Sequence, residues 1–131
     1  MESSALVEAR EWLTLAHEDV VAAERLLQTP PPLVSVAAFQ AEQAGENALR
    51  AYLAAHTITS SQAASLGELL AQCQAIDARF AQLSPAARTL SPYAVRFRYP
   101  GGRPVPTSAE AEEALQVADD IVEFVRKRLA L

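Results

Sequence analysis

The chain has 131 residues, half of them apolar and 21% charged, which suits one domain with a hydrophobic core and is short of two. Its net charge of −5 argues against polyanion binding over the whole surface, and a single cysteine, Cys73, excludes an internal disulfide or a cysteine-based metal cluster. No run approaches the roughly eighteen apolar residues of a membrane span, and Met1-Glu2-Ser3-Ser4 lacks the basic start of a secretory signal, so a cytoplasmic protein without a membrane partner is expected.

Apolar residues recur with a period of 3.6 almost throughout, and no strand pattern competes. The first helix is predicted from Ser4 as N-cap, with Leu6, Ala9, Leu13, Ala16, Val20, Ala23 and Leu27 on one stripe. It stops at Thr29-Pro30-Pro31-Pro32, because successive prolines remove donors and clash with a preceding turn. A second helix runs from near Ser35 to about His56, and its stripe of Ala37, Ala41, Ala44, Ala48, Ala51 and Ala55 permits close helix approach. After a polar linker over residues 57–64, Ser65 and Glu68 have capping-box spacing and open a third helix to about Leu83. Ser84-Pro85 and Ser91-Pro92 each read as an N-cap followed by proline, starting two short helical pieces. Tyr99-Pro100-Gly101-Gly102-Arg103-Pro104 reads as a loop, and Thr107 with Glu110 opens a last helix to about Arg128. The expected architecture is a single all-α domain over residues 1–131, an antiparallel up-and-down bundle of four to five helices. Cys73, among Leu69, Leu70 and Ile76, reads as a small buried hydrophobe.

Charge is segregated. Between Asp77 and Glu110 there is no acid, yet that stretch carries Arg79, Arg88, Arg96, Arg98 and Arg103 together with Phe80, Tyr93, Phe97 and Tyr99. Guanidinium forks suit phosphate, and rings suit base stacking, so Arg96, Arg98, Tyr93 and Tyr99 are the candidate ligand-binding residues. Gln43, Glu46 and Arg50 fall at i, i+3 and i+7 of the second helix and share a face with Phe39 and Leu53, which marks them as a partly desolvated supporting set. The plainer reading of Glu46 and Arg50 is a helical ion pair. There is no glycine-rich phosphate loop, no nucleophile elbow and no pair of histidines at ligand spacing, so no metal, cofactor or catalytic residue is assigned. His17, beside Glu18 and Asp19, reads as solvated or half-buried.

The run from Phe39 to Ala51 resembles the second-helix signature of HEPN domains: an aromatic, a Gln-Ala pair (Gln43-Ala44), a glutamate three residues after the glutamine (Glu46), and Arg50-Ala51 where the family usually has Lys-Ala. Trp12-Leu13 with Ala16, Asp19 and Ala22-Ala23, and the block Tyr93-Ala94-Val95-Arg96-Phe97-Arg98-Tyr99-Pro100-Gly101, are similar to further segments of that family. The resemblance covers nearly the whole chain. It implies a helical bundle, commonly a homodimer, that works beside a nucleotidyltransferase-type protein in nucleotide-binding or toxin–antitoxin roles.

Two departures bear on catalysis. The histidine that usually precedes the third helix is replaced by Ala63-Ala64-Ser65-Leu66, and Arg96 and Arg98 are followed by no histidine, whereas the family's ribonucleases carry an arginine followed closely by one. Metal-free RNA cleavage needs a group that moves protons near neutrality, which arginine cannot do. The expectation is therefore a binding protein for a nucleotide or an RNA phosphate. The alternatives are a metal-independent ribonuclease toxin and a plain helical interaction or dimerisation module.

Overall fold

Helix α1 (Ser4–Gln28) starts where Ser3 Oγ accepts the Leu6 N–H at 3.2 Å, so the cap is Ser3 and Ser4 is the first helical residue. It ends at Thr29, whose hydroxyl donates to the Arg25 carbonyl at 3.0 Å just ahead of the prolines. Helix α2 (Val34–Ala55) follows directly. Asp19 meets Asn47 and Trp12 meets Arg50, so residue numbers fall along α1 as they rise along α2, and the two helices are antiparallel. These contacts come from a computed structural model that describes residues 2–95 and 105–131.

After α2 the chain doubles back as an irregular segment, bringing the Ser61 and Gln62 carbonyls beside Arg50. Helix α3 (Leu66–Ile76) then opens with the predicted capping box: Ser65 Oγ accepts the Glu68 N–H and Glu68 Oε1 accepts the Ser65 N–H, both at 3.1 Å. The expected continuous helix to Leu83 is broken at Asp77. That residue is extended, and its carboxylate accepts the Arg79 N–H at 3.0 Å, which caps a separate 3₁₀ turn over Ala78–Leu83. A short side chain that bonds the nearby backbone competes with helix, and here it wins.

Helix α4 (Ser84–Leu90) has no side-chain cap, so Ser84 is its first residue rather than its N-cap, while Pro85 sits in the first turn as expected. Ser91 is helical too: its hydroxyl donates to the Ala87 carbonyl at 2.7 Å, and a 3₁₀ turn (Ser91–Tyr93) continues from it. Helix α5 (Ser108–Leu129) begins with the second capping box, between Thr107 and Glu110, and finishes with Arg126, Lys127 and Arg128 in its last turn, where cations oppose the helix dipole.

Every regular element among the described residues is helical, and no helix there is long and apolar enough to cross a membrane. Helix α2 lies at the centre, against α1, α5, α3 and α4. Leu49, Leu53, Leu66, Leu69, Phe80, Leu90, Ile121 and Val125 fill the core around it. Gly45 leaves room for Leu90, since a Cβ there would lie 3.1 Å from Leu90 Cδ1. Cys73 is buried in this core, as expected; its thiol donates to the Leu49 carbonyl at 3.7 Å, and burial pushes its pKa up to about 12, which leaves it inert.

Candidate functional site

Because α2 is covered on all sides, its polar residues are trapped in the interior. Glu42, Glu46 and Arg50 stand one turn apart, at i, i+4 and i+8, and expose 0%, 9% and 6% of their surface. Arg50 Nη1 donates to Glu46 Oε1 at 3.1 Å and lies 3.5 Å from Asn47 Oδ1; Nη2 reaches the Ser61 and Gln62 carbonyls at 3.4 Å. The Arg50 guanidinium also stands 5.7 Å from the centre of the Trp12 ring, within cation–π range. Asn47 is itself held by Asp19 at 2.8 Å, so the network ties α1, α2 and the segment before α3 together.

One guanidinium cannot neutralise two carboxylates in a dry interior, and a lone buried charge is costly. Glu42 resolves this by keeping its proton. Burial, reinforced by the neighbouring Glu46, pushes its pKa up to about 9, against which the Gln43 bond and Arg50 act only weakly. The Glu42 Oε2 atom has no hydrogen-bond partner if the group is ionised. Protonated, it donates to the Glu46 carboxylate, while Glu42 Oε1 accepts from Gln43 Nε2 at 2.9 Å. Glu42 therefore adds no negative charge to the cluster near pH 7.

Above this cluster lies a cleft of about 510 Å³, walled by Trp12, Gln43, Glu46, Arg50, the turn over residues 62–65, and Ala94. That size fits a small ligand. A smaller hollow of about 150 Å³ adjoins the same Trp12, Arg50 and Gln62 and extends to Glu8 and Ile58. Among the described residues no group of three or more His, Cys, Asp or Glu could hold a metal ion.

The supporting set predicted from the sequence, Gln43, Glu46 and Arg50, is gathered on this cleft, and the Glu46–Arg50 ion pair of the plainer reading is present as well. Of the candidate ligand-binding residues, Arg96, Arg98 and Tyr99 lie outside the described residues. Tyr93 packs half-buried against the core, and its pKa is raised by burial and then by Glu110 and Glu113 of α5. Its neighbour Ala94 forms the cleft wall. Of the other arginines in the acid-free stretch, Arg79 is clasped by Asp77 at 2.9 and 3.0 Å, and Arg88 is exposed on α4. Sequence reasoning missed Glu42 and gave Trp12 no role at the site. The signals were present: Glu-Glu-Arg at four-residue intervals on an otherwise alanine-rich helix, and the chain's single tryptophan.

A second groove of about 450 Å³ runs between α1 and α5 and holds His17, which is exposed there. Its arginines are already engaged, Arg10 by Glu2 and Arg126 by Glu123 at 2.8 Å. Asp119 in the same groove has its pKa raised by burial and by Glu123 and Asp120. Unpaired negative charge makes it a poor seat for an anion.

The HEPN domain family model matches residues 9–128. The fold is similar to the crystal structure of TT1696 from Thermus thermophilus, with a TM-score of 0.79 and 32% sequence identity, over 92% of this chain and 97% of that one. No curated protein matches the sequence significantly.

Proposed function

The chain belongs to the HEPN domain family, and from that premise we propose that it is a binding protein for a nucleotide or an RNA phosphate rather than a self-contained enzyme. The observation that carries the reading is a juxtaposition of structure and sequence. The cleft wall ends at Ala94, and the chain then runs straight into Arg96, Arg98 and Arg103 within a stretch that holds no acid. The stretch supplies no carboxylate of its own, and guanidinium groups match phosphate geometry in two-pronged fashion. Tyr99 in the same stretch offers a ring for stacking. Binding without cleavage is supported by the missing histidine after Arg96 and Arg98.

The test is nucleotide affinity across a salt series. Arg96→Ala and Arg98→Ala each lower it by roughly ten-fold, and the wild-type affinity falls steeply as salt rises. Unchanged affinity in both variants removes the reading. A nucleotidyltransferase-type partner, a toxin–antitoxin role and a homodimer belong to the same proposal through the family resemblance. The dimer predicts a solution mass of twice one chain by light scattering, and a single-chain mass at micromolar concentration contradicts it.

A further inference from the structure

We propose that the cleft beside Trp12 is a subsite for an unpaired nucleobase, with Trp12 as its stacking wall and the Gln43 and Gln62 amides reading the base edge. This rests on the binding reading above and assigns its parts. The described walls are ill suited to phosphate. Their only guanidinium, Arg50, already faces Glu46, Asn47 and two backbone carbonyls, and a phosphate placed there would also confront the Glu46 carboxylate. Glu42, buried one turn before Glu46, carries a proton and adds no negative charge. What remains is a ring, two primary amides and the Ser65 hydroxyl around about 510 Å³.

Each amide offers both a donor and an acceptor, and Gln43 keeps its carbonyl and one N–H after its bond to Glu42. A planar, uncharged ligand whose edge alternates donors and acceptors satisfies such walls, and nucleobases have that chemistry. Arg50 over the indole holds the ring in place before the ligand arrives.

Trp12 is the chain's only tryptophan, so its intrinsic emission reports this cleft and the small hollow that adjoins it. The full chain is titrated with adenosine and uridine, with tripolyphosphate, with AMP, and with a short single-stranded oligoribonucleotide. Calorimetry is run in parallel. A nucleoside is expected to quench Trp12 with little salt dependence, tripolyphosphate to leave the emission unchanged, and AMP to quench at lower concentration. Whether AMP or the oligoribonucleotide quenches at the lower concentration tells a free nucleotide from RNA as the source of the base. Gln43→Met weakens nucleoside binding, and Trp12→Phe weakens it by roughly ten-fold or less by calorimetry while circular dichroism reports an intact helical fold. Calorimetric AMP binding without nucleoside quenching overturns the base subsite and leaves the phosphate reading standing. Quenching by tripolyphosphate alone overturns it too, and no binding by any of the nucleotides removes both.

Discussion

Two ionic clusters, one on α2 and one between the end of α3 and the last turn of α5, behave in opposite ways. In Glu42–Glu46–Arg50 two carboxylates share one guanidinium inside the bundle, and the pKa of Glu42 rises to about 9. In Asp77–Arg79–Arg128 one carboxylate faces two guanidinium groups at the surface. Arg79 grips Asp77 at 2.9 and 3.0 Å, Arg128 stands at 3.9 Å, and the Asp77 pKa falls to about 2, mainly through the hydrogen bonds from Arg79. The residue types are the same, but the ratio of charges and the access of water differ. The surface cluster tightens a break between helical segments. The buried one holds a proton, joins three segments, and lends Glu46 and Arg50 to the cleft wall.

The largest expected effect separates the clusters by removing a cation from each. Arg50→Met strands Glu46 in the interior and lowers unfolding stability by roughly 3–5 kcal/mol in urea titration. Arg79→Met, with 64% of the side chain exposed, moves the midpoint only slightly. Equal losses would break the contrast.

The next effect is in pH dependence. The folded pKa of Glu42 lies above its unfolded value of 4.5, so its contribution is fully present below pH 4.5 and is lost as pH rises through about 9. The partly buried Asp19 and Asp119 shift in the same direction. Wild type therefore loses stability between pH 5 and 8, by roughly 2–3 kcal/mol, which is below the one-proton limit of about 4 kcal/mol over those three pH units. Glu42→Gln keeps the shape, can still donate to Glu46, and flattens most of that slope. Thermal melts across the pH range check this, and a slope unchanged in the variant contradicts it.

The smallest effect has the opposite sign. The depressed pKa of Asp77 gives a contribution that is present above pH 3.8 and lost as pH falls through about 2. Asp77→Asn should be slightly less stable than wild type above pH 4 and indistinguishable from it below pH 2 in acid-unfolding curves.

The helices were legible because their signals are local: prolines after Thr29, capping boxes at Ser65 and Thr107, and an alanine stripe on α2. The break at Asp77 was missed because it depends on a side chain choosing the Arg79 N–H over helix, a competition that apolar periodicity does not register. At the site, the Gln43–Glu46–Arg50 face could be read from spacing. Glu42 stands one turn before Glu46 and was passed over; spacing shows that neighbourhood, but its complete burial under the helices packed on α2 is a tertiary fact. Trp12 joins the cleft only because α1 runs antiparallel to α2, which brings it to Arg50 across 38 positions of sequence.

The claim that most depends on physics is that Glu42 keeps its proton at neutral pH. Following the ¹³C carboxyl shifts of labelled glutamates through a pH titration of the folded chain tests it directly. The Glu42 signal should stay in its protonated position through pH 7 and move near pH 9. A Glu42 signal that moves between pH 4 and 5, like an exposed glutamate, contradicts the protonated Glu42 and the cleft chemistry built on it.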